Sequence, residues 1–285
     1  MSGNTTLRPT EKLPAVGGNS AVDTVLNWTR NAPLLVTVLA YLFLFVPIVV
    51  LIVFSFNETK STVVWSGFSL DWYTEVFNDR RLGRGLWISA VVSVSSAFFS
   101  TAIGALAALA ISKRQFPGRD ILSTVMVSPL ILPEIVFAVG LLVFMVTMNL
   151  TLGYTSLIIG HILVSIPFTT LIVRSAASAL DGDLEEAGAD LGASEIQVFF
   201  RITLPILMPA IAVAFLLAAT ISFDNFVMST FTSGVGTTPL PLQIYSMLKL
   251  GITPKINALG TLMVAANIAV ILFVMGRYLR FLRGG

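Results

Sequence analysis

Five apolar stretches of this chain run for more than twenty residues without one charged side chain: 31–57, 85–112, 135–173, 202–223 and 256–276. Crossing the hydrocarbon core of a bilayer takes about 20 apolar residues as helix, so most of these are long enough. A surface helix of a soluble protein keeps a polar face, and these runs have none. The run 135–173 is too long for one helix; NLTLGY (149–154) supplies turn residues, and its first part continues back through Glu134 to Ile121. The uncharged run 225–248 contains STFTSGVGTTPLPLQ, which is loop chemistry and not a span. The sequence therefore predicts six membrane-spanning helices, 32–56, 86–112, 121–148, 154–178, 206–224 and 257–276, in an all-α membrane protein. The composition, 55% hydrophobic and 11% charged, agrees.

Residues 1–30 read as a polar tail carrying Arg8, Lys12 and Arg30, with the transmembrane domain over 31–285. No cleavable signal peptide is expected, because the first apolar run is longer than a signal core and lacks a small-residue cleavage site. The absence of cysteine excludes disulfides and thiolate chemistry, and a net charge of +2 gives no reason to invoke nucleic acid. Six spans put both termini on one side of the membrane. With that side cytoplasmic, eleven of the seventeen Lys and Arg face inward, three of them in the short loop KRQFPGRD. This is the bias that sets orientation. Arg80, Arg81 and Arg84 run against it, partly matched by Asp71, Glu75 and Asp79.

One segment breaks the apolar pattern. Asp181, Asp183, Glu185, Glu186, Asp190 and Glu195 place six of the fifteen acids within fifteen residues, between the fourth and fifth spans. Two short helices with a bend are predicted across 181–205. Leu184, Ala187 and Leu191 make an apolar stripe in the first, which Asp181 and Asp183 precede as capping carboxylates. Gly192 marks the bend. Ser194 caps the second helix, with Ile196, Phe199, Phe200 and Thr203 on one face. Pro205 and Pro209 then mark the start of the fifth span. A helix lying on lipid favours Lys and Arg, so an acidic segment suits a cytoplasmic protein partner better.

These residues carry a resemblance. Glu186-Ala187-Gly188, Gly192 three residues on, and Ile202-x-Leu204-Pro205 after nine more are similar to the EAA loop of ABC importer permeases, E-A-A-x(3)-G-x(9)-I-x-L-P, with Gly188 replacing the second alanine. The resemblance extends from about Ala32 onward and includes WSGFSLDWYTEVF (65–77), and TPLPLQIYSMLKLGITPKINALGTL (238–262) is similar to the second permease subunit of spermidine/putrescine importers. The resemblance implies a type I permease fold in a bacterial-type inner membrane, with a coupling helix gripped by a cytoplasmic ATPase. The implied coupling residues are Glu185, Glu186, Ala187, Gly188, Gly192, Ile202, Leu204 and Pro205. The implied partners are a homologous permease subunit, two ATPase subunits and an external solute-binding protein. ATP and magnesium would belong to the ATPase, with no cofactor or metal held by this chain. The sequence agrees on one point: it contains no G-x-x-x-x-G-K-[ST] loop to cradle phosphates.

Glu134, in SPLILPEIVFAVG, falls inside the third predicted span, and Asp224 ends the fifth. Ionisable groups at such depth usually face a cavity, and a carboxylate there favours a cationic solute. Glu134 also reads as a hydrogen-bonded carboxyl bracing a helix kinked by Pro129 and Pro133, and Asp224 as a helix-end acid in the interface. With Asn225 and Tyr245 these form the expected substrate passage. Polyamine permeases typically carry an acidic pair where this chain has Asp224-Asn225, and often glutamate where it has Lys255. His161 reads as a packing residue, and Trp65, Trp72 and Tyr73 as interfacial anchors. The alternatives are a permease for another small solute or an ion-gradient-driven transporter. The latter predicts inverted repeats, and none is evident. An intramembrane enzyme lacks its motifs, H-E-x-x-H and G-x-S-x-G.

Overall fold

The computed structural model describes residues 20–180 and 182–283. Residues 1–19, most of the expected tail, and the capping role of Asp181 lie outside the described residues. The described residues are mostly helical: α1 Ser20–Phe54, α2 Asp71–Asn78, α3 Arg80–Lys113, α4 Arg119–Val127, α5 Glu134–Thr147, α6 Tyr154–Ser178, α7 Asp183–Asp190, α8 Glu195–Val198, α9 Leu204–Asp224, α10 Phe226–Thr232, α11 Leu240–Lys249 and α12 Pro254–Arg283.

The core is a three-helix packing of α3, α6 and α9. The small residues of the alanine- and glycine-rich stretch 97–112 do this work. Ala97 and Ala108 of α3 and Ala214 and Ala218 of α9 are fully buried. At Gly104 a Cβ would collide with Thr169 of α6. Small residues let helix backbones approach where lipid gives no hydrophobic drive. α1 stands apart: its apolar stretch Pro33–Phe54 buries nothing within the chain and leans on α12.

Four helices among the described residues are long and apolar enough to cross a membrane, within α1, α3, α6 and α8–α9. The third predicted span is not one helix. α4, extended by a 3-10 turn at Ser128–Leu130, meets α5 at 107°. Pro133 has no N–H to give and holds Leu132 away from helical backbone, so the expected kink is a break. The sixth predicted span falls in α12, whose described apolar part, Pro254–Val270, is shorter than a full crossing.

The fifth span also differs from expectation. Pro205 does not separate it from a short preceding helix: Glu195–Asp224 is one helical rod. The rod passes Pro205 through a π turn at Phe199–Thr203, closed by the Leu204 amide on the Phe199 carbonyl. Proline would clash with the carbonyl four residues back, and widening the preceding turn accommodates it.

Candidate functional site

Two groups of predicted residues lie at opposite ends of α3 and α9. At the first, the connector α7–α8 folds against the C-terminal end of α3. Gly192 has φ +84°, the left-handed turn that glycine tolerates. Ser194 then opens α8 with a capping box: its Oγ accepts from the Gln197 amide while the Gln197 Oε1 accepts from the Ser194 amide at 2.9 Å. The side chains divide between inward and outward roles. Glu185 turns inward, accepting from Lys113 Nζ of α3 and from the Thr203 hydroxyl. Burial works against its charge, but hydrogen bonds from Lys113 and Thr203, with the lysine charge, hold the carboxyl below the ordinary glutamate range. Gly188 is buried, and a Cβ there would come within 2.6 Å of Ile202 Cδ1. Its departure from the alanine of the motif thus coincides with a tight seat for half-buried Ile202.

The outward face is different. Glu186 and Ala187 are exposed, as is Pro205 in the first turn of α9, while Leu204 is half-buried. The apolar side chains of the connector lie open: Leu191 is 90% exposed and Ile196 70%, with Leu184 and Phe200 also exposed. The connector thus spends its small and charged residues on anchoring and presents apolar and acidic side chains outward. Arg114 adds a second, largely solvated tie to Glu195 at 2.7 Å, of the kind worth about 0–1 kcal/mol.

At the other end, Glu134 is the first residue of α5, immediately after the 107° break rather than within a continuous span. Its carboxylate lies at a helix N-terminus, where negative charge is favoured, and accepts from Asn225 Nδ2 at 2.6 Å. Asn225 in turn caps α10, its Oδ1 accepting from the Met228 amide at 2.7 Å. Asp224 is exposed as the last residue of α9. Tyr245 of α11 packs on Phe226 with ring centroids 4.7 Å apart, and Lys249 Nζ lies 4.6 Å over the tyrosine ring. Glu134 and Asn225 are therefore in contact, whereas Tyr245 reaches them only through Phe226.

Three contacts at these ends were not read from the sequence. The Lys113–Glu185–Thr203 brace is one. The second is Lys255, which bonds Glu75 at 3.0 Å and Asp79 at 2.9 Å. Asp79 also caps α3 through the Arg81 amide. Burial opposes its charge, but Lys255 and the capping amides outweigh it and hold the carboxyl below its ordinary value. Against two carboxylates, the lysine is locally outnumbered. The third is His161, buried on α6 with both ring nitrogens bonded to serines. The only advance signal for the first two was charge of opposite sign far apart in the chain. Two of the aromatics read as interfacial anchors also hold the first loop together: Trp72 Nε1 donates to the Asn57 carbonyl at 2.6 Å, and the Tyr73 hydroxyl lies 2.6 Å from Ser55 Oγ.

Residues 100–283 match the model of the family described as binding-protein-dependent transport system inner membrane component. The chain is 36% identical to the spermidine/putrescine transport system permease protein PotC of Haemophilus influenzae, over 85% of this chain and 93% of that protein. It is 37% identical to PotC of Escherichia coli K12, over 81% and 88% respectively. Its fold is similar to a chain of a bacterial ABC transporter involved in alginate import, with TM-score 0.67 and 16% identity, covering 93% of this chain and 99% of that one. With its helical architecture and apolar spans, the chain belongs to the family of binding-protein-dependent transport system inner membrane components, multi-pass ABC permease subunits that are not themselves enzymes.

Proposed function

We propose that this chain is one of two permease subunits of an ATP-driven importer for polyamines, spermidine or putrescine, with both termini cytoplasmic. Its partners are a homologous permease, two ATPase subunits and an external solute-binding protein. The substrate reading is supported by the names of the relatives and by carboxylates at the far end, Glu134 and Asp224, suited to a cation.

The observation that carries the coupling reading is the connector's divided surface. Glu185 and Gly188 fix α7 to the bundle, while Leu184, Glu186, Leu191 and Ile196 remain exposed for a separate protein. The rod Glu195–Asp224 supplies the transmission. Thirty helical residues span about 45 Å, and the rod's two ends are the connector and the Asp224–Asn225 corner that touches Glu134. When ATP draws the ATPases together, displacement of α7–α8 moves that corner without an intervening hinge loop, opening or closing the passage between the two permeases.

Uptake of labelled spermidine and putrescine by cells with and without this chain tests the substrate. Loss of either uptake is expected, and loss of neither retires the polyamine reading. Gly192→Asp or Glu186→Lys is expected to leave membrane insertion and ATP hydrolysis intact while abolishing transport. Normal transport by both would refute the coupling role.

A further inference from the structure

His161 is the largest polar side chain buried in the bundle, only 2% exposed. Its Nδ1 lies 2.7 Å from the Ser222 hydroxyl, on the last turn of α9, and its Nε2 3.2 Å from the Ser229 hydroxyl on α10. Those two serines flank the corner at Asp224–Asn225, where the chain leaves α9 with Asn225 at φ −71°, ψ 100°. A neutral imidazole carries one donor and one acceptor, so a single ring ties both arms of the corner in either tautomer. Ser96 of α3, with its Oγ 2.8 Å from Ser222 Oγ, extends the tie to a third helix.

The face of α6 around His161 is built to seat α10. At Gly160 a Cβ would come within 2.9 Å of Met228 and 3.1 Å of Thr232. Ser156 Oγ donates to the Thr232 carbonyl at 2.7 Å. α10 therefore has two independent seats on α6, and its capping residue Asn225 is the group that meets Glu134. Burying a polar ring among helices is costly unless both nitrogens are satisfied, and here the satisfaction is divided across the corner.

We propose that His161 is a positioning residue for the passage: by bridging Ser222 and Ser229 it fixes the angle between α9 and α10 and so holds Asn225 against Glu134. The functional half of this rests on reading Glu134 and Asn225 as passage residues. The geometric half does not.

The chain contains no cysteine, so the pair Glu134→Cys/Asn225→Cys reports their proximity by oxidation to a disulfide in membranes holding the assembled transporter. Adding His161→Ala is expected to slow that oxidation by about tenfold or more, the scale of two lost hydrogen bonds. Ser222→Ala with Ser229→Ala should reproduce the effect. His161→Asn and His161→Gln, each keeping one of the two contacts, should fall between. Should His161→Ala fail to assemble, these other variants decide the matter. Unchanged oxidation in an assembled variant overturns the proposal. In the chain without added cysteines, His161→Gln is expected to raise the KM for labelled putrescine about fivefold with kcat within about twofold. Lowered kcat at unchanged KM would mark a merely structural role and also overturn it. Absence of putrescine uptake by the unsubstituted transporter would refute the polyamine reading instead, and the disulfide rates would still judge His161.

Discussion

The two ends of the α9 rod use polar residues in opposite ways. At the connector the ionic contacts lie near solvent, anchoring α7 and α8 to α3, and the apolar side chains point outward. At the far end His161 joins Ser222 and Ser229 inside the bundle, and beside that buried bridge the exposed Glu134 accepts from Asn225. An exposed apolar patch on an anchored element is a docking surface in search of a partner. A buried, satisfied polar bridge instead fixes one geometry. On the proposed reading, the connector takes the force input and the far end handles the solute.

Breaking the connector's anchor should have the largest effect. Glu185→Lys sets two ammonium groups together and removes the acceptor of Thr203, and uptake should fall by at least about tenfold, equivalent to about 1.4 kcal/mol. Adding Lys113→Glu should restore part of it. No recovery would mean that the brace is not an ionic pair in the working transporter. Glu134→Gln comes next. It keeps a hydrogen-bond acceptor for Asn225 but removes the charge, so KM for a dicationic solute should rise severalfold with assembly unchanged. An unaltered KM would remove Glu134 from the passage.

A smaller effect follows from the depressed pKa of Glu185. A carboxyl held below its ordinary value stabilises the fold above its unfolded pKa, and that contribution is lost as pH falls through the folded value. The thermal stability gap between the unsubstituted transporter and Glu185→Gln should therefore be full at neutral pH and close on acidification. A gap that persists below the carboxylate range would contradict the brace. Arg114→Ala should do least. Its pair with Glu195 is almost fully solvated, and loss of such a pair costs about 0–1 kcal/mol, so uptake should stay near normal. A large loss would show that Arg114 meets a partner.

The long helices α1, α3, α6 and α9 were legible because an apolar, charge-free run of about 20 residues is long enough to cross a membrane. The connector's bend was legible too, since Gly192 and Ser194 are local signals of turn and cap. Two features were legible only in part. Pro205 reads as a helix start, and α9 does begin at Leu204, yet the preceding π turn makes it continuous with α8. Leu184, Ala187 and Leu191 read as an apolar stripe, and periodicity states which residues share a face and not which way that face points. The far end was barely legible: His161 and Ser222 are 61 residues apart, and Lys255 and Asp79 are 176 apart. Contacts across such distances leave no spacing pattern in one sequence.

The account stands or falls on what covers the connector. With the chain free of cysteine, Leu191→Cys or Ile196→Cys offers a single thiol on the exposed face for a bifunctional crosslinker in membranes holding the assembled transporter. The account predicts a crosslink to the ATPase subunit, with the thiol blocked only by reagents that reach the cytoplasmic side. Blocking by an impermeant reagent from the outer side, or no crosslink to any ATPase in a transporting complex, would contradict it.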